Sequence, residues 1–133
     1  MPPYYDIAHK ELLAISICQG LRPKSNYKIP QLILDIIKQC WDADPSKRPK
    51  AKELDELLTK LHEDAQYKKD SLIYEQIKEA DEINIKLSSS SPSLSSTNIL
   101  SYTTHPQAVY TSKLLDFKNL PEPKNAESEY SGN

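Results

Sequence analysis

The sequence has 133 residues, with 17 basic and 19 acidic side chains and a hydrophobic share of 38%. This length allows one modest domain, and the near balance of charge excludes the basic footprint of a nucleic-acid-binding protein. No apolar run could span a membrane, and Met1-Pro2-Pro3-Tyr4 does not resemble a signal peptide, so we expect an intracellular, cytoplasmic protein without membrane partners.

The first predicted helix runs from Asp6 to Cys18. Asp6 is a favourable N-cap residue, and Gly20 is a natural stop because glycine adopts the left-handed backbone that often ends a helix. The apolar residues at helical spacing are Leu12, Leu13, Ile15, Ile17 and Cys18.

A second helix is predicted from Pro30 to Trp41. Proline suits the first turn, where its missing N–H costs little. Leu32 and Leu34 widen the apolar face of this helix, which predicts burial on more than one side. The face itself comprises Ile33, Ile36, Ile37 and Cys40.

A proline-framed corner follows at residues 40–49, and it contains Trp41, the single tryptophan of the sequence. Asp44 can cap a short turn that has Pro45 at its first helical position. Pro49 restricts Arg48 to extended dihedrals. The corner is therefore predicted to hold one aromatic residue and one arginine in fixed positions.

The third helix is predicted to begin at Lys50 and to reach about Leu61. The Lys50 side chain cannot accept a hydrogen bond from a backbone N–H, which weakens the cap by about 1 kcal/mol. Neither glycine nor proline occurs between Lys50 and Ser91, so we expect a charged helical extension over residues 63–87. The simplest interpretation of this extension is that it continues the third helix as one long solvated helix. The alternative is that its apolar residues pack against a partner helix.

The composition of residues 88–133 predicts a serine-rich, mostly disordered tail. Ser91 precedes Pro92 and is a candidate phosphorylation site. An apolar island at residues 108–120 is typical of a linear recognition segment that folds onto a partner.

The two cysteines, Cys18 and Cys40, are best interpreted as buried free thiols on apolar helix faces. A disulfide between them would require an oxidising compartment, which nothing else in the sequence indicates. The histidines His9, His62 and His105 lack the spacing of metal ligands, so we expect no metal site.

The corner at residues 40–49 has the pattern Cys-Trp-x-x-Asp-Pro-x-x-Arg-Pro. It resembles the corner before the last helix of a protein kinase catalytic domain, of the tyrosine-kinase or tyrosine-kinase-like type. Further segments resemble kinase elements in the same order: the turn before helix G at residues 2–5, the end of helix G at 17–23, helix H at 30–41 and helix I at 50–61.

This resemblance implies an all-α chain in three parts. Residues 1–62 would form the C-terminal helical portion of a kinase large lobe, with helices G, H and I. Residues 63–87 would extend the last helix, and residues 88–133 would form a tail of the kind that follows some kinase domains.

Phosphoryl transfer requires a glycine-rich phosphate loop, a catalytic aspartate and a magnesium-binding aspartate. The sequence contains no G-x-G-x-x-G, H-R-D or D-F-G motif. The resemblance therefore implies that ATP and Mg²⁺ belong to the complete parent domain. In this chain we expect no catalytic, cofactor-binding or metal-binding residue, and we expect the chain alone to be inactive.

The resemblance also implies a role for Arg48. The matching kinase arginine forms a buried ion pair with the glutamate of A-P-E, which would lie upstream of these residues. Breaking a buried pair of this kind typically costs about 3–5 kcal/mol. The structural residues of the kinase corner would be Trp41, Asp44, Pro45, Arg48 and Pro49.

Helix G of kinases serves as a docking surface for substrates and regulators, and the residues near it here are Tyr4, Tyr5, His9 and Lys10. For each of them, the simpler interpretation is an ordinary exposed residue. Two function classes follow: a kinase-domain fragment that supports the large lobe and offers a docking surface, or a free-standing helical interaction module. The expected partners are proteins or the rest of a kinase domain, and uncovered apolar helix faces would favour self-association.

Overall fold

The computed structural model describes residues 2–89, 103–111, 114 and 116–126. Within these residues the chain is all-helical and contains no strand, which confirms the predicted fold class. The elements are α1 (Glu11–Cys18), α2 (Gln31–Cys40), a 3₁₀ turn (Pro45–Lys47), α3 (Ala51–Tyr67) and α4 (Leu72–Ser89).

The chain divides into two compact units. Unit 1 comprises Met1–Lys24 and Ser96–Asn133, and unit 2 comprises Ser25–Ser95. Unit 1 therefore joins the segment around α1 with the tail, and unit 2 holds the other three helices and the corner.

Helix α1 begins at Glu11 and not at Asp6, so the predicted N-terminus is wrong. Its N-cap, Lys10, makes no capping hydrogen bond with its side chain. In a helix that starts at Asp6, the Asp6 side chain would accept a hydrogen bond from the His9 N–H. In the structure that N–H instead donates to the Gln107 carbonyl at 2.9 Å, which ties residues 2–10 to the tail.

The predicted stop at Gly20 is confirmed. Gly20 has φ +104°, and its N–H donates to the Ile17 carbonyl at 3.1 Å. The Leu21 N–H donates to the Ser16 carbonyl at 2.9 Å. These two bonds form the Schellman pattern that satisfies the last carbonyls of a helix.

Helix α2 agrees with its prediction to within one residue at each end, with Pro30 as N-cap and Trp41 as C-cap. Helix α3 starts after Lys50, and the Lys50 backbone N–H donates to Glu53 Oε2 at 2.8 Å. An ammonium group has no lone pair, so only this half of a capping box can form.

The expectation of one continuous helix through residue 87 is wrong, because α3 ends at Tyr67 and α4 begins at Leu72. Ser71 makes the break. Its hydroxyl donates to the Asp64 carbonyl at 3.0 Å and accepts from the Tyr74 N–H at 3.3 Å, so it closes α3 and caps α4. Helices α3 and α4 pack against each other.

Few of the described side chains are buried. Among the described residues the buried apolar side chains are Leu13 in unit 1 and Ile36, Ile73 and Ala80 in unit 2. Two side-chain amides of α4 also form hydrogen bonds within unit 2. Asn84 accepts from the Lys28 N–H at 2.7 Å and donates to the Lys28 carbonyl at 3.0 Å. Gln76 accepts from the Leu32 N–H at 3.0 Å. Helix α4 is thereby fixed to the start of α2.

The tail differs in part from its prediction. Ser88 and Ser89 belong to α4 and not to the tail. The described residues from 103 onward have no helix or strand, but several of them form hydrogen bonds with the N-terminal segment of unit 1. The serine-rich run from 90 to 102, with the Ser91-Pro92 site, lies outside the described residues.

Candidate functional site

The corner adopts the predicted geometry. The Asp44 side chain caps the 3₁₀ turn, since its Oδ1 accepts from the Ser46 N–H at 2.9 Å and from the Ser46 hydroxyl at 2.7 Å. Asp42 Oδ1 accepts from the Asp44 N–H at 2.9 Å. The hydrogen bonds from Ser46 hold the pKa of the Asp44 carboxyl below its ordinary value, with smaller contributions from Lys47 and Arg48.

Arg48 follows the turn with φ −74° and ψ 137°, the extended backbone that Pro49 imposes. Its Nε donates to the Asp42 carbonyl at 2.8 Å, which orients the guanidinium group. The side chain is exposed and forms no ion pair with any residue that the structure describes. Trp41 at the start of the corner is 38% exposed. The roles that the kinase resemblance gives these residues stay predictions.

The four residues predicted near a docking surface lie in unit 1. Tyr4 has φ 55°, a turn conformation that is uncommon outside glycine, and its hydroxyl approaches the Leu21 carbonyl at 3.5 Å. Partial burial raises the pKa of Tyr4, although the positive charge of Arg22 opposes the shift.

The described tail residues lie against this segment, with His9 at the centre. Its Nε2 is 3.1 Å from the Tyr4 carbonyl oxygen, and its Nδ1 is 3.1 Å from Val109 N and 2.9 Å from Val109 O. The His9 ring therefore bonds with the Tyr4 carbonyl through one nitrogen and with the Val109 backbone through the other, and the tautomer decides which nitrogen donates. The structure thus brings together Tyr4, Tyr5 and His9, which are half-buried, whereas Lys10 is exposed.

A second set of tail contacts lies at the end of α1. The Lys124 N–H donates to the Cys18 carbonyl at 2.7 Å. Arg22 donates to the carbonyls of Ile17 and Leu21, both at 2.9 Å, and approaches that of Lys124 at 3.5 Å. A Cβ added at Gly20 would lie 2.8 Å from the Asn125 carbonyl oxygen, so the tail backbone passes where only glycine fits.

The sequence did not identify the tail residues that complete this surface: His105, Gln107, Val109 and Tyr110. The apolar island at residues 108–120 was a signal that included Val109 and Tyr110, but it gave no indication of where they bind. His105 and Gln107 contribute backbone groups, which carry no residue-specific signal.

Cys18 and Cys40 are free thiols and only half-buried. No group of three or more His, Cys, Asp or Glu side chains within the described ranges could hold a metal ion. Within the described residues, no helix combines the length and the apolarity that a membrane span requires. What the site offers is backbone donors and acceptors beside aromatic rings, an arrangement that suits recognition of an extended peptide.

Comparison with known proteins supports a kinase relationship for the first part of the chain. Residues 1–58 match the family "Protein tyrosine and serine/threonine kinase". The mast/stem cell growth factor receptor Kit of Canis lupus familiaris is 43% identical over 49 residues, which are 37% of this chain and 5% of that protein. A protein kinase and PP2C-like domain-containing protein of Oryza sativa subsp. japonica is 38% identical over 52 residues, 37% of this chain and 8% of that protein.

The chain thus spans less than a tenth of the length of these curated relatives. No solved structure matches. The matched residues include α1, α2, the corner and the first half of α3, and they stop before α4 and the tail. Residues 1–58 are therefore similar to a fragment of a protein kinase domain.

Proposed function

We propose that this chain supplies the C-terminal helical part of a protein kinase large lobe, with α1, α2 and α3 as helices G, H and I. Its role is to stabilise that lobe and to offer a docking surface for intracellular signalling proteins. ATP and Mg²⁺ bind in the rest of the parent domain, and the chain alone transfers no phosphate.

The observation that carries this proposal is the corner within the matched residues. The Asp44 cap, the 3₁₀ turn and Pro49 fix the backbone of Arg48, and Asp42 orients its guanidinium group. A fixed, exposed arginine is suited to pair with a carboxylate from a neighbouring segment.

The test begins with the transcript upstream of the codon for Met1, where we expect the reading frame to continue and to encode A-P-E. In the protein so encoded, Arg48→Ala should lower the free energy of unfolding by about 3–5 kcal/mol, because it leaves the glutamate buried and unpaired. Lys47→Ala, a change of the exposed neighbour, should stay within about 0.5 kcal/mol. A transcript that starts at Met1, or equal effects of the two variants, would contradict the proposal.

The alternative is a free-standing helical interaction module, and the packing of unit 2 favours it. Ile73 and Ala80 are buried and Asn84 bonds with Lys28, so α4, which lies outside the matched residues, contributes to the packing of this unit. Arg48→Ala would then have little effect on stability. Self-association would use the exposed apolar side chains Leu57, Leu58, Leu72, Ile85 and Leu87, and sedimentation over a range of concentrations measures it.

A further inference from the structure

Residues 105–110, here named the strap, lie along residues 3–9 of the same unit. Two main-chain hydrogen bonds join them: the His105 N–H donates to the Tyr5 carbonyl at 2.7 Å, and the His9 N–H donates to the Gln107 carbonyl at 2.9 Å. The Val109 N–H completes the pairing at His9 Nδ1. Residues 3–9 thus present an acceptor, a donor and a ring nitrogen to the backbone of a bound segment.

The strap also has one side-chain anchor. The Tyr110 ring meets the His9 ring edge-on, with the centroids 4.8 Å apart and the planes at 86°. The Tyr110 hydroxyl donates to the Pro3 carbonyl at 3.0 Å. Edge-to-face aromatic pairs and a hydroxyl bond each add specificity to a backbone pairing that any sequence could make.

From these contacts we propose that the strap is an intramolecular occupant of the surface formed by Pro3, Tyr4, Tyr5 and His9. The external partner of this surface is an extended peptide with a tyrosine in the position of Tyr110, and it binds by displacing the strap. The inference rests on the proposed docking role of this surface, and it adds the class of partner and the way in which access is controlled.

The contacts of the strap described above involve main-chain amides, the His9 ring and a phenol. The phenol distinguishes tyrosine from phenylalanine, since only tyrosine can donate to the Pro3 carbonyl. The surface should therefore bind a tyrosine peptide more tightly than the same peptide with phenylalanine.

The first experiment measures amide hydrogen exchange by NMR on the full chain. Tyr110→Ala should speed exchange of the His9, His105 and Val109 amides about tenfold, since it removes the ring contact and the hydroxyl bond together. Tyr110→Phe keeps the ring and should give about a threefold increase. Tyr67→Ala is the matched control, because this tyrosine of α3 is 75% exposed, and it should leave the three amides unchanged.

The second experiment titrates a synthetic peptide of residues 103–111 into the full chain. The peptide should bind the Tyr110→Ala chain about tenfold more tightly than the native chain, because the weakened strap competes less. Equal affinity for both chains, or an unchanged affinity when the peptide tyrosine is replaced by alanine, would overturn the proposal.

Amide protection that rises with protein concentration would also overturn it, because the occupant would then be the tail of a second copy. These outcomes are independent of the transcript and of Arg48. Failure of the kinase proposal would therefore show up separately from failure of the strap.

Discussion

The two units are held together in different ways. Unit 2 buries Ile36, Ile73 and Ala80 in helices α2 and α4. Asn84 and Gln76 bond α4 to Lys28, before α2, and to Leu32 in its first turn. Unit 1 buries Leu13 and depends on hydrogen bonds between segments about a hundred residues apart. Apolar burial stabilises unit 2, whereas backbone pairing stabilises unit 1, so unit 1 is the part that can open at low cost.

The largest expected effect tests the packing of unit 2. Ile73 is 3% exposed, so Ile73→Ala should lower the free energy of unfolding by about 2–5 kcal/mol. The matched control is the neighbouring Leu72→Ala, since Leu72 is 62% exposed and should cost about 0.5 kcal/mol or less. Urea unfolding followed by far-ultraviolet circular dichroism measures both, and equal losses would contradict the buried position of Ile73.

A smaller effect is expected at the close approach in unit 1. Gly20→Ala should cost about 1–2 kcal/mol, because alanine is strained at positive φ and its Cβ would meet the Asn125 carbonyl. Exchange of the Lys124 amide should become faster as residues 124–126 move away. Gln19→Ala changes an exposed neighbour with φ −77° and serves as the control. An unchanged Lys124 amide in the Gly20 variant would show that the tail does not pass there.

The side-chain amides of unit 2 should contribute less to the free energy of unfolding than Gly20 does. Asn84→Ala removes the acceptor and the donor that pair with the Lys28 backbone and should cost about 1 kcal/mol in urea unfolding. Gln39 has an exposed side chain on α2. Gln39→Ala should therefore be neutral, and a loss as large as that of Asn84→Ala would mean that the amide bonds are not specific.

The smallest expected effect concerns pH at the corner. The pKa of Asp44 is lowered in the folded chain, so its contribution to stability is present at neutral pH and is lost as the pH falls below about 4 towards the folded pKa. Ser46→Ala removes the hydroxyl donor and should raise the Asp44 pKa, as measured by NMR titration. Ser25→Ala is the control, because the Ser25 hydroxyl bonds with Tyr27, and an equal shift in both variants would exclude the Ser46 bond as the cause.

Local signals in the sequence were sufficient for α2, the 3₁₀ turn and the end of α1. Pro30, Asp44, Pro45 and Gly20 act on their own neighbours, and each lies where the sequence placed it. The break before α4 also has a local cause, the capping hydroxyl of Ser71, but neither glycine nor proline marks it in the sequence.

Long-range contacts explain the rest. Helix α1 begins at Glu11 and not at the predicted Asp6. The His9 N–H is paired with the Gln107 carbonyl, and no local sequence pattern could indicate that partner. The sequence identified three of the surface residues, Tyr4, Tyr5 and His9, but not the strap that lies on them. Backbone groups form much of this site, and a sequence alone does not show where they meet.

The strap also has a consequence for when the surface is accessible. A segment on the same chain competes at a fixed effective concentration, which reaches about millimolar for short flexible linkers and falls as the linker lengthens. Diluting the protein does not release the strap. A free peptide with the same intrinsic affinity must therefore exceed that concentration to bind half of the chains. The surface therefore has a threshold concentration for peptide binding. A weak tyrosine peptide binds only when it is abundant or when a second contact holds it nearby.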